Sequence, residues 1–237
     1  MNKKVIIGNF KMNILPSEVI EYLKKLKEDV KNSNNEIVIC MPYVDIPYSP
    51  NIVENTNIHI GAQNMHYEEE GSYTGEISVK MLKSIKTEYI MLGHYERRKY
   101  FLETEEMINK KIRLALKYDL KPIVCIGSNN SLEDELNIIL KELTKEEIIK
   151  IIFIYEPIKS IGTGNIIDKN IIDNKIIQIR NILRKRCDNY ENIIIGYGGS
   201  INSDNVIDLL EDNYIKAILV GSSSLNEQEF SKIVNSI

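Results

Sequence analysis

The 237-residue chain is long enough to bury a large core, either as one α/β barrel or as two smaller domains. Lysine and arginine number 30 against 34 aspartates and glutamates, a net charge of −4, and the basic residues are spread out, which argues against nucleic acid or an anionic membrane surface as the main partner. Cys40, Cys125 and Cys187 lie far apart, with no Cys-x-x-Cys pair and no adjacent histidine, so a reduced cytoplasmic protein without structural zinc is expected.

The apolar run at 5–7 behind the basic start is too short for a signal peptide, and no apolar segment approaches membrane-spanning length. Residues 5–8 read as a strand, followed by a loop with Asn9 and Lys11. Pro16-Ser17-Glu18 then opens a helix with apolar Val19, Tyr22, Leu23, Leu26 and Val30. A strand at 36–41 and a helix at 45–53 repeat the unit. The third strand is 58–62, with a long loop at 63–75 and a helix at 76–83. Loops that long usually have a function. The fourth strand is 89–92, its loop carries residues 93–98, and 104–118 is helical.

Residues 121–125 make strand five, followed by Gly127-Ser128 and helical patterning over 132–150 with Thr144 as the candidate break. Strand six ends at Tyr155, and 169–187 is helical. Strand seven is 193–196, with Tyr197-Gly198-Gly199-Ser200 in its loop and Ser203 capping a helix to Leu210. Strand eight is 217–220, Gly221-Ser222-Ser223-Ser224 its loop, and 226–234 the last helix. Eight strand–helix units without a linker predict one domain over 1–237, a (β/α)8 TIM barrel of eight parallel strands. An open doubly wound sheet is the alternative, but no Gly-x-Gly-x-x-Gly follows the first strand.

In such a barrel the loops after the strands share one face, so Lys11, His94 and Glu156 would meet there. Singly, each has an ordinary alternative: a solvated cation, a turn histidine, a surface carboxylate. The richest stretch is Tyr155-Glu156-Pro157-Ile158-Lys159-Ser160-Ile161-Gly162-Thr163-Gly164. A strand delivers Glu156 to the sheet's end, Pro157 denies it a helical conformation, and two glycines let backbone approach a ligand. Glycine-rich loops after strands six, seven and eight offer N–H donors suited to a phosphate. His59 and His66 join no metal-ligand spacing, and His59, within an apolar strand, reads as structural.

At these residues the sequence resembles the triosephosphate isomerase family, along the whole chain and in family order: Gly8-Asn9-Phe10-Lys11-Met12-Asn13, Gly61-Ala62-Gln63-Asn64, Thr74-Gly75-Glu76, Gly93-His94, Glu96-Arg97-Arg98, Cys125-Ile126-Gly127, Tyr155-Glu156-Pro157, Ile161-Gly162-Thr163-Gly164 and Tyr197-Gly198-Gly199-Ser200. The resemblance implies interconversion of dihydroxyacetone phosphate and D-glyceraldehyde 3-phosphate through an enediolate, with no metal and no cofactor. It implies Glu156 as the base, with Ile161 and Leu219 desolvating it and raising its basicity. His94, kept neutral near a helix N-terminus, would donate to the enediolate oxygen. Lys11 and Asn9 would stabilise its charge, and Glu96 would pair with Lys11. Gly162, Ser200, Gly221 and Ser222 would hold the phosphate, residues 157–164 would form a lid, and Thr74 would enter a partner subunit, making a homodimer.

The chain departs from the family pattern at five places. Tyr95 stands where a small serine is usual, so its ring must turn away from Glu156 or occupy volume the carboxylate sweeps. Ser222 replaces a glycine, Lys159 a lid tryptophan, Ser128 that tryptophan's glutamate partner, and Asn165-Ile166-Ile167 the usual second hinge. Two other classes stay open: another phosphosugar enzyme on the same barrel, needing a Schiff-base lysine inside it or a metal cluster, and a catalytically weakened paralogue that binds triose phosphates or a protein partner.

Overall fold

The eight apolar runs pair side by side into one closed barrel, β1 to β8 in chain order, with β1 hydrogen-bonded to both β2 and β8 and every pairing parallel. The computed structural model describes residues 3–127, 131–157, 167–211 and 214–237. The strands are β1 (Val5–Asn9), β2 (Glu36–Met41), β3 (Ile58–Ala62), β4 (Tyr89–Leu92), β5 (Lys121–Ile126), β6 (Ile152–Tyr155), β7 (Ile194–Gly199) and β8 (Ala217–Val220). Around them lie α1 (Pro16–Asp29), α2 (Pro50–Val53), α3 (Val79–Ser84), α4 (Tyr95–Phe101), α5 (Glu105–Lys117), α6 (Leu132–Ile139), α7 (Lys145–Ile148), α8 (Lys169–Arg184), α9 (Val206–Leu210) and α10 (Glu227–Asn235).

Parallel strands covered on both faces are apolar at successive positions, and here alternate residues feed two cores. Val5, Ile7, Val38, Cys40, Met91 and Cys125 belong to the cluster inside the barrel, while Ile6, Ile37, Ile39, Leu92 and Val124 face the helices. The helices return the complementary stripe: Val19, Leu23 and Leu26 of α1 and Ile108, Ile112 and Ala115 of α5 are fully buried. Each of the Val, Leu and Ile side chains contributes about 1.5–3 kcal/mol on leaving water. The three cysteines are free and buried. His59 contacts Glu88 at 2.9 Å at the opposite end of the barrel from the strand exits, as its structural reading implied.

Several boundaries differ from the sequence reading, each for a local reason. The helix expected over 45–53 is a 3-10 turn, Ile46–Tyr48, and then α2, because Pro47 and Pro50 interrupt its ladder. The helix expected from 76 begins at Val79, where the Ser78 hydroxyl accepts from the Met81 N–H. Residues 93–98 are not all loop: α4 starts at Tyr95, capped by His94. Ser203 is not a helix cap. Asn202 Oδ1 accepts from the N–H groups of Asp204 and Asn205 instead, and α9 starts at Val206.

Asp45, in the turn after β2, is fully buried, and neither carboxylate oxygen has a hydrogen-bond partner among the described residues. Burial pushes its carboxyl above the ordinary value. An acid that binds its proton more tightly folded than unfolded loses stability as pH rises from its unfolded pKa through its folded one. Asp45→Asn is therefore expected to stabilise the chain at pH 7 by about 1–2 kcal/mol. That gain should vanish below the ordinary carboxylate range. Urea unfolding midpoints at the two pH values check it, and an equal or opposite effect at both would contradict it.

Candidate active site

Strand exits gather the polar residues at one end of the barrel, around a cavity of about 470 Å3, within the range for a small-molecule site. Asn9, Lys11, His94, Glu156, Ser200, Gly221 and Ser222 all line it, so residues from five strand exits converge as the barrel reading required. Leu219 closes part of the wall. Among the described residues no group of three or more His, Cys, Asp or Glu side chains is arranged to hold a metal ion.

Lys11 sits in the left-handed region, φ 54°, where a non-glycine residue is strained. Three contacts hold it there. Its N–H donates to Asn9 Oδ1 at 2.9 Å, its carbonyl accepts from Gln63 Nε2 at 2.9 Å, and its ammonium donates to Glu96 Oε1 at 2.7 Å. Gln63 also donates to the Cys40 carbonyl, 3.1 Å, tying the first loop to β2. The Lys11–Glu96 pair matches the expectation for those two residues. Nothing in the sequence marks Gln63 for this role except its place just past β3.

His94 is buried and caps α4, with Nδ1 accepting from the Glu96 N–H at 3.3 Å. That bond leaves Nε2 to carry the proton, and Nε2 lies 3.4 Å from Glu156 Oε1. Glu156 is itself buried. Gly198 makes room for it: a Cβ there would stand 2.7 Å from Glu156 Cγ. Burial presses the His94 imidazole downward, but the charge and hydrogen bond of Glu156 outweigh it and the net shift is upward. Burial raises Glu156, yet the charge and hydrogen bond of His94, then the Cys125 thiol and Lys11, hold it below the ordinary carboxylate value. The expected rise in basicity is thus not the resting condition. Burial presses the carboxylate upward, but the imidazole contact overrides it while the two groups face each other.

Tyr95 resolves one departure. Its half-buried ring borders a narrow cleft of about 10 Å3 behind Glu156, room for no more than about one water. Lys99 Nζ lies 5.7 Å from its ring centroid, so the ring runs along α4 and Glu156 rests on His94.

A family model described as Triosephosphate isomerase matches residues 4–237. The triosephosphate isomerase of Caldanaerobacter subterraneus subsp. tengcongensis is 41% identical over 247 aligned residues, covering 99% of this chain and 100% of that protein. Those of Clostridium botulinum (strain Loch Maree / Type A3) and Alkaliphilus oremlandii are 40% and 39% identical at the same coverage. The chain belongs to the triosephosphate isomerase family.

Against that family pattern, Pro157 is described and buried at the exit of β6. The rest of the expected lid, Ile158, Lys159, Ser160, Ile161, Gly162, Thr163 and Gly164, lies outside the described residues, as do Ser128, Asn165 and Ile166. Thr74 is exposed in the long loop after β3, where the His66 ring stacks on Tyr67 and lies tilted against Tyr73, each at 4.3 Å between centroids.

Proposed function

We infer that the chain is an isomerase that interconverts dihydroxyacetone phosphate and D-glyceraldehyde 3-phosphate through an enediolate intermediate. Membership of the family carries this reading, and the site observation that agrees with it is a buried carboxylate facing a buried imidazole, with a lysine on the same cavity wall. The reaction moves a proton between two adjacent carbons and needs a base, an acid and a partner for one developing oxyanion.

In this reading Glu156 removes the proton from the carbon beside the carbonyl. His94, donating from Nε2, meets the carbonyl oxygen as it gains charge, and Lys11 and Asn9 stabilise the same charge. Glu96 orients the lysine. When the substrate oxygen takes the His94 hydrogen bond, Glu156 loses the contact that depresses its basicity, while burial still raises it. The base therefore strengthens as substrate binds. The phosphate sits against Ser200, Gly221 and Ser222, with Gly162 assigned to the same group from the family pattern. Binding energy at this non-reacting end is available at the reacting centre. A coupled assay should accordingly show rapid turnover of glyceraldehyde 3-phosphate and only trace turnover of glyceraldehyde. Comparable rates would overturn the phosphate assignment, and no turnover of either would overturn the activity.

We further propose that the chain is a homodimer in which Thr74 enters the partner. Met12, Val44, Tyr73, Met81 and Phe101 are exposed apolar side chains on the loops and helices that follow the first four strands. Sedimentation at micromolar concentration should give twice the 27.3 kDa chain mass. A fully active monomer would contradict the proposal.

A further inference from the structure

Away from the cavity, two charges lie where water cannot reach them easily. Glu135 on α6 is fully buried, and the Arg98 side chain on α4 is only 12% exposed. A pair taken out of water gains little stability over an apolar pair of the same volume, so the question is what else the two groups hold. Arg98 Nη2 is 2.8 Å from Glu135 Oε1, and Nη1 is 2.9 Å from Glu105 Oε1. Two further donors go to backbone. Nε donates to the Gly93 carbonyl at 2.7 Å and Nη2 to the Cys125 carbonyl at 3.2 Å, while Glu135 Oε2 accepts from the Gly127 N–H at 3.0 Å.

Each of those backbone groups adjoins a reacting side chain. Gly93 immediately precedes His94 and holds φ 71°, a conformation that invites other states unless its carbonyl is fixed. The Cys125 thiol touches Glu156. Gly127 backs onto the base's main chain so closely that a Cβ there would lie 2.9 Å from the Glu156 carbonyl oxygen. One carboxylate and one guanidinium thus grip the exits of β4 and β5 on both sides of the His94–Glu156 contact.

We propose that Glu135, acting through Arg98, is a positioning residue for the isomerisation: it holds the β4 and β5 exits in the register that aligns His94 Nε2 with the Glu156 carboxylate. It lines no part of the large cavity. The proposal rests on the isomerase reading above. A pair that merely fastened α4 and α6 to the barrel would lower stability and leave turnover by the folded fraction unchanged.

Glu135→Gln keeps the shape but turns one acceptor into a donor facing donors. In protein shown folded by circular dichroism at the assay temperature, kcat should fall by about 10- to 100-fold, since misplacement by about 1 Å costs that much. KM should stay within about twofold, because the phosphate-facing loops are not gripped by the pair. Arg98→Lys keeps the charge and loses the fork, and should show the same split. The double variant should be no worse than the weaker single, as for groups acting along one path. Glu133→Gln, an exposed carboxylate of the same helix paired with Lys185, should leave both constants unchanged. If one variant fails to fold, the other decides. A folded variant with normal kcat, or a loss confined to KM, would overturn the positioning role while wild-type activity keeps the isomerase reading. An inactive wild-type chain would overturn both.

Discussion

Replacement of Lys11 by methionine is expected to lower kcat by about 10²- to 10³-fold, the effect of removing one preorganised partner of a developing oxyanion. Methionine preserves the length and much of the packing of the lysine stem, so the change isolates the charge. The chain keeps that charge at some cost. Lys11 holds a strained φ of 54°, and its ammonium is committed to Glu96 at 2.7 Å before substrate arrives. Orientation is therefore settled in advance and need not be organised during the reaction. KM should rise as well, since the same cavity wall faces the phosphorylated substrate. Unchanged kcat in the folded variant would remove Lys11 from the electrostatic role.

Glu156→Asp should cut kcat by about 100-fold with the fold intact, because withdrawing the carboxylate by one methylene misplaces it by about 1 Å. The surroundings cannot follow. The Glu156 side chain already rests against Gly198, where even a Cβ would not fit, and its partner His94 is fixed as the cap of α4. The shorter side chain would lose its 3.4 Å approach to His94 as well as its reach to the reacting carbon. Near-normal turnover of folded Glu156→Asp protein would mean that another group takes the proton.

Strands bounded by charged or turn residues were legible from their apolar runs, and β2, β3, β4 and β8 begin and end where the sequence reading put them. β7 was not. Its sequence suggests 193–196, but the strand runs Ile194–Gly199, because Gly196, Gly198 and Gly199 carry no strand preference and are there to admit neighbours, Gly198 for the base itself. Lys11, His94 and Glu156 were legible for one reason: each follows a strand by one or two residues, and a barrel brings such positions together. The Arg98–Glu135 pair was not, since the two lie on different helices 37 residues apart and nothing local marks them. The resting state of Glu156 was also hidden. Its downward shift depends on a contact between two loops, and sequence showed only the apolar surroundings that push the other way.

The central chemical step is proton abstraction by Glu156, and isomerisation of dihydroxyacetone phosphate in deuterium oxide tests it most directly. A carboxyl proton exchanges with solvent while the enediolate persists, so magnetic resonance of the product should show deuterium on the carbon next to the carbonyl. Folded Glu156→Gln protein should neither form product nor take up deuterium at an appreciable rate, and label incorporated by that variant at the wild-type rate would contradict a base at Glu156.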